Sequence, residues 1–295
     1  MLTPELFRKL TPILPYVKVI NFDNHGEPLF NLDLEDFIRH SKTVAPKIKT
    51  SFTSNFILMS PERAEKVLKA GLDNLQVSIP GITKETYEKI ITGGDYHVFI
   101  NNLNEFKSIL RHFPGQRYDY SACVTAMRAN LDEIRFIPEF ISRLGFNRLR
   151  INSVLPFSRP LLNESLLDKR EFVERSREVF NDTIQRAKKL KIRANCVLSI
   201  EADNIRCHYS EKNFSISYNG DVCPCWMLDI REGYNCHVHG RSYEIPFVKF
   251  GNIGEENILE IYNSREFKDF RKDFKSGKMP YFCGVCPVGK RLICG

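Results

Sequence analysis

No apolar run in the sequence approaches the roughly 18 residues that a membrane span requires, and Met1 to Pro15 (MLTPELFRKLTPILP) lacks the basic start and apolar core of a signal peptide. A cytoplasmic location is the expectation. Low-complexity linkers and internal repeats are missing too, beyond the period of the secondary structure itself. No basic block is interleaved with aromatic residues, so neither membrane nor nucleic acid is an expected partner. What is present is an ordinary globular composition: 295 residues, 42% hydrophobic and 27% charged, enough for one large α/β domain and a smaller appendage. Lys and Arg total 43 against 36 Asp and Glu, and the net +7 could favour an acidic peptide, a phosphorylated substrate or nucleic acid, but the charges are spread over surfaces that look helical and read first as ordinary solvated faces.

Helix and strand signals alternate from Thr3 onward, as in successive βα units of a parallel sheet. Thr3-Pro4-Glu5 opens a helix with Leu6, Leu10 and Ile13 on one face. Val17 to Phe22 reads as the first strand, Asp33 to Ser41 as a helix and Ile48 to Thr53 as the second strand. Ser60-Pro61-Glu62 starts the next helix, and Asn74 to Ile79 is the third strand. Helices over Thr83 to Ile91 and His97 to His112 precede a strand at Tyr118 to Thr125, after which Asn130 caps a further helix. Asn147 to Asn152, a long amphipathic helix over Asp168 to Leu190 and an extended segment over Lys191 to Val197 complete the rhythm. Past about Ala202 the chain turns rich in Cys, Gly and Tyr. The expected organisation is therefore a barrel-like part over 1–200 and a Cys-rich part over 201–295. A sheet of this type normally opens on a strand, whereas this sequence opens on a helix.

The nine cysteines crowd toward one end, and their odd number in a reducing compartment reads as metal ligation before it reads as disulfides. Cys207, Cys225, Cys283 and Cys286 form the expected metal set. Cys283-Gly284-Val285-Cys286 is a turn whose two intervening residues let both sulfurs converge, while Cys207 and Cys225 close the site in space. Cys123 and Cys196, each within a strand, are expected to be buried thiols behaving as small hydrophobes. Zinc competes with an iron–sulfur cluster, because Cys236-His237-Val238-His239 brings nitrogen ligands close to Cys223 and Cys225.

Cys207, Gly220-x4-Cys225, Phe250-Gly251-Asn252-Ile253, Glu260-Ile261-Tyr262-Asn263-Ser264 and Cys283-x2-Cys286 together resemble the SPASM domain of radical SAM enzymes. The resemblance implies an auxiliary [4Fe–4S] cluster there. Leu2 to Arg159 is similar to the radical SAM partial barrel, which implies a partial (β/α)6 fold, here without its first strand. His25-Gly26-Glu27-Pro28 stands where that family carries Gly-Gly-Glu-Pro, a motif that contacts the amino group of S-adenosylmethionine. Glycine permits close backbone approach, and a carboxylate accepts hydrogen bonds from an ammonium. Thr53, Asn55 and Ser78 fall at C-terminal strand ends, the rim on which barrel folds place ligands, so Gly26, Glu27, Pro28, Thr53, Asn55 and Ser78 are the expected cofactor-binding set. Read singly, Glu27 and Asn55 are also ordinary turn formers and Ser78 an ordinary strand hydroxyl. Thr125, Asn130 and Asn152 are placed on the same rim by fold analogy.

The family's Cys-x3-Cys-x2-Cys loop, whose cluster binds S-adenosylmethionine and delivers an electron, occurs nowhere in the sequence. Two functions follow. One is an N-terminally shortened radical SAM/SPASM enzyme that cleaves S-adenosylmethionine and abstracts hydrogen from a peptide, protein or small-molecule substrate, served by an electron donor. The other is a degenerate homologue that binds a partner without catalysis. A zinc-stabilised α/β protein of unrelated activity is a third.

Overall fold

The computed structural model describes residues 1–113, 119–199, 212–231, 234–238, 241–278, 283 and 291–294. Six parallel strands form its frame: β1 (Val19–Asn21), β2 (Lys49–Ser54), β3 (Asn74–Ser78), β4 (Asp119–Ala126), β5 (Arg148–Ser153) and β6 (Arg193–Ser199). They are hydrogen-bonded in sequence order, each parallel to the next and joined to it by a helical crossover. α1 (Pro4–Arg8) precedes β1, and between the strands lie α2 (Leu34–Val44), α3 (Pro61–Ala70), α4 (Lys84–Ile90), α5 (Tyr96–Leu110), α6 (Leu131–Ile134), α7 (Ile137–Arg143), α8 (Arg159–Asn163) and α9 (Arg170–Lys189). This is a mixed α/β partial barrel of the expected type.

Local sequence explains where these helices begin and end. Ser60 caps α3 by accepting from Arg63 N, Pro61 supplies the preset first turn, and Gly71 ends the helix at φ +103°, a value that favours glycine. Asp95 caps α5 by accepting from His97 N and Val98 N. On the strands, alternation decides which face is buried. Leu149 and Ile151 on β5, with Ala122 and Val124 on β4, point outward under the helices and are at most 2% exposed.

In the C-terminal part, β7 (Ser215–Ile216), β8 (Asp221–Cys223) and β11 (Gly251–Asn252) make a small antiparallel sheet. A hairpin pairs β9 (Tyr234–Val238) with β10 (Arg241–Ile245), and α10 (Ile258–Asn263) and α11 (Arg265–Lys275) follow. Strands this short need another anchor, and Asp221 provides it. Its side chain is fully buried and accepts from Asn252 Nδ2 at 2.8 Å, Arg231 Nη2 at 2.8 Å and Asn219 Nδ2 at 3.0 Å. Burial alone would raise its pKa, but these donors outweigh it and hold the carboxyl at about 2.

Several contacts join the parts, two of them through a shared apolar cluster and along the sheet edge. Phe7, Leu10 and Ile13 from the N-terminal segment, with Phe37 of α2, share one buried cluster with Val222, Ile253, Ile258 and Phe267. The second is β12 (Arg291–Cys294), which adds antiparallel to β6 and covers that edge of the main sheet. Among the described residues, no helix is long and apolar enough to cross a membrane.

Candidate active site

A parallel sheet covered on both sides usually has two apolar faces. Here the inner face is polar. Strand register arranges it in rows: Thr53, Gln76, Ser121, Arg148 and Arg193 form one, and Ser78, Cys123, Arg150 and Asn195 the next toward the C-terminal ends. Thr125 beside Asn152 begins a third. These side chains line a cavity of about 2910 Å³. Enclosed pockets for small molecules run to roughly 300–1,000 Å³, so this open lumen has room for a cofactor and part of a second molecule.

Gly26, Glu27, Pro28, Thr53, Asn55 and Ser78 all border this one cavity, brought together by the ends of the first three strands. Glu27 is tied to the chain. Ser54 Oγ donates to its Oε1 at 2.8 Å, Asn55 N to its Oε2 at 2.7 Å and Leu29 N to Oε1 at 3.2 Å. A carboxylate offers about four acceptor positions, so most of this one is used in fastening the loop after β1 to the end of β2. Asn55 Oδ1 accepts from Ile57 N at 3.1 Å. The next residue, Phe56, has φ +67°, an uncommon value for a side chain of this size and a form of stored strain. Asn102 on α5 restrains that turn by donating to both Phe56 O and Ile57 O at 2.9 Å.

At Gly26, no heavy atom lies within 4 Å of where a Cβ would stand, so the backbone faces open space. The cavity, the open glycine and the hydroxyl of Ser78 suit a polar cofactor laid along the strand ends.

Facing this loop is the segment Trp226–Asp229 of the C-terminal part. His25 Nε2 lies 2.7 Å from the Trp226 carbonyl, to which it hydrogen-bonds, and 2.7 Å from Asp229 Oδ1, with which it forms an ion pair. Ser215 Oγ donates to Asp229 Oδ2 at 2.7 Å, and Asn24 Nδ2 donates to the same oxygen. Burial lowers the His25 pKa, but Asp229 and the Trp226 carbonyl outweigh it and raise the group above its ordinary value. Asp23, lining the cavity beside Thr53, is also raised, because burial exceeds what the Thr53 hydroxyl and backbone bonds return. Sequence reasoning missed Asp23, Trp226 and Asp229. The available signal was His25 itself, a titratable group where the motif has a glycine.

Three expectations need correction. Cys123 is half-buried and lines the cavity, because alternation along β4 turns Ser121, Cys123 and Thr125 inward while Ala122 and Val124 fill the core. Asn130 is no rim residue: it is 1% exposed, donates to Pro80 O and Thr125 O at 2.9 Å and accepts from Met127 N at 2.9 Å. It stands at the N-terminus of α6 without side-chain capping there, because its three bonds join the ends of β3 and β4 instead. Cys196 is buried, as expected of a core thiol, and Thr125 and Asn152 border the cavity.

For the metal set, Cys207 and Cys286 lie outside the described residues. Cys225 and Cys283 are 8% and 7% exposed, and each packs in a different apolar cluster. Two buried thiols suit a soft metal centre in donor chemistry. Among the described residues, however, no three His, Cys, Asp or Glu side chains converge as a ligand group. The zinc alternative gains nothing: Cys236 and His237 are successive strand residues on opposite faces, and His239 lies outside the described residues. Burial, with Asp229 and Asp221 nearby, pushes the Cys223 thiol well above its ordinary pKa.

Fold and site together define a partial-barrel protein with a ligand-sized polar lumen at its strand ends. Comparison with known proteins adds two family matches. Residues 25–113 match the family model described as the radical SAM superfamily, and residues 207–287 the one described as SPASM, an iron–sulfur cluster-binding domain. The two matches support a radical SAM/SPASM protein. The chain is similar to the AdoMet-dependent heme synthase of Methanosarcina barkeri, 24% identical over 277 residues, covering 90% of this chain and 73% of that protein. It is similar also to the PqqA peptide cyclase of Granulibacter bethesdensis, 22% identical over 265 residues, covering 88% of this chain and 64% of the cyclase. In fold it resembles Streptococcus suis SuiB, solved bound to its precursor peptide SuiA: TM-score 0.59, 17% identity, 96% of this chain and 64% of that one.

Proposed function

We propose that this chain provides the cofactor- and substrate-binding body of a radical SAM/SPASM enzyme that modifies a peptide. It has two units: 1–200, holding S-adenosylmethionine at the strand ends, and 201–295, holding an auxiliary [4Fe–4S] cluster on Cys207, Cys225, Cys283 and Cys286. The observation that carries the reading is the gathering of Gly26, Glu27, Pro28, Thr53, Asn55 and Ser78 around one polar lumen. A peptide as substrate is supported by the cyclase and SuiB likenesses and by the size of the lumen.

S-adenosylmethionine, when bound and reduced by one electron, supplies hydrogen-atom abstraction. The chain's own residues bind and orient. Gly26 admits the aminoacyl end to the backbone, and Glu27 acts mainly as a positioning residue by holding the loop against Ser54 and Asn55. Ser78 presents a hydroxyl to the cofactor from the end of β3. The sequence has no Cys-x3-Cys-x2-Cys run, so the reading gives these residues binding and positioning and no step of reductive cleavage.

Calorimetric titration of S-adenosylmethionine into the anaerobically prepared protein tests the first unit. Glu27→Ala frees the loop and is expected to weaken binding about tenfold, the equivalent of one to two hydrogen bonds. Affinity unchanged by Glu27→Ala would refute the pocket as drawn. Iron and sulfide analysis of the same preparation tests the second unit, and zinc without iron would refute the cluster.

A further inference from the structure

Among the described residues, the charges facing the lumen do not balance. The carboxylates there are Asp23, Glu27, Asp119 and Asp229, and each is engaged: by Thr53, by Ser54 and Asn55, by Arg148, and by His25 with Ser215. On the opposite wall, Arg150 of β5 and Arg193 of β6 project into the lumen, and neither has a carboxylate partner among the described residues. Arg193 is in register with Arg148, and Arg150 stands two residues further along the neighbouring strand. With strands about 4.8 Å apart and about 3.3 Å of rise per residue, their Cα atoms are roughly 8 Å apart. Two like charges so placed repel, a cost that no partner in the described chain offsets.

Arg150 is also oriented. Its Nε donates to Asn152 Oδ1 at 3.3 Å, which leaves its terminal nitrogens for another acceptor. A guanidinium fork matches a carboxylate through paired hydrogen bonds, and two forks on adjacent strands can take one carboxylate between them.

We propose that Arg150 and Arg193 form an anion subsite on the β5–β6 wall that receives a carboxylate side chain of the substrate, so that the enzyme selects a peptide with an acidic residue near the reacting position. This rests on the function proposed above. The same chemistry could serve the carboxylate of S-adenosylmethionine, but position favours the substrate. The amino-acid end of the cofactor is assigned to Gly26, in the loop fastened to the end of β2, and Arg150 lies three strands beyond β2, about 14 Å along the sheet. The subsite therefore faces the part of the lumen left for a second molecule.

The test titrates acetyl-Gly-Glu-Gly-amide and acetyl-Gly-Gln-Gly-amide into the full chain and into its Arg150→Gln, Arg193→Gln and Arg150→Lys variants. Arginine Nε–H signals are followed by NMR, S-adenosylmethionine is titrated in parallel, and melting temperature checks that each variant is folded. The glutamyl peptide is expected to shift the Arg150 and Arg193 signals and to bind at least about fivefold more tightly than the glutaminyl one. Each Gln variant should erase that preference, Arg150→Lys should keep part of it, and cofactor affinity should stay within about twofold throughout. Equal binding of the two peptides overturns the subsite. A fall in cofactor affinity in the Gln variants, without peptide preference, also overturns it and assigns the carboxylate to S-adenosylmethionine. Acidic preference without any cofactor binding keeps the subsite and removes the function proposed above.

Discussion

His25 joins the loop after β1 to the C-terminal part through contacts with Trp226 and Asp229, 201 and 204 positions away in sequence. Because its pKa is raised in the folded protein, the protonated contact contributes fully below the ordinary histidine value of about 6.5 and is lost as pH rises through the folded value. Trp226 is the only tryptophan in the sequence, and its ring centroid is 5.8 Å from that of His25. Tryptophan emission should therefore titrate with a midpoint above about 6.5 and become flat through that range in His25→Gln. A midpoint at or below the ordinary value would show that Asp229 does not govern the imidazole.

At the scale of elements, the site depends on how the strand ends are fastened. Asn130 bridges the ends of β3 and β4 with three buried hydrogen bonds, and Asn130→Ala leaves Pro80 O, Thr125 O and Met127 N without that partner. A loss of roughly 2–4 kcal/mol is expected in urea unfolding, well above the few tenths typical of an exposed position. The parallel strands and major helices were legible because their signals are local: alternation on β2 to β5, and the Ser60-Pro61 start of α3. Alternation also held the inner face, since Cys123 lies between Ala122 and Val124; taking that cysteine as core weighed its residue type above its phase on the strand. The Asn130 and Asp229 contacts were not legible, because each depends on backbone or side chains brought close only by folding. Short strands past Ala202 were legible from composition, but their bounds and pairing were not, being held by the Asp221 cluster rather than by any periodicity.

At the scale of the whole molecule, the partial barrel and the C-terminal part share a core. Phe7 is 2% exposed, stacks on Phe37 with centroids 4.2 Å apart and belongs to the cluster that contains Ile253, Ile258 and Phe267. Phe7→Ala should cost about 3–5 kcal/mol, and tryptophan fluorescence, reporting the junction at Trp226, should then change at lower denaturant than far-UV circular dichroism. The junction matters for the proposed function because the wall facing the loop after β1 comes from the C-terminal part, through Trp226 and Asp229.

The central claim is that the ends of the first three strands hold S-adenosylmethionine, and Ser78 tests it most directly, since no hydrogen bond within the described chain occupies its hydroxyl. Equilibrium dialysis of labelled S-adenosylmethionine against the wild-type protein and Ser78→Ala, which removes the hydroxyl and adds no bulk, is predicted to show binding to the first and about tenfold weaker binding to the second. The same affinity in both, or no binding to the wild-type protein, would contradict the account.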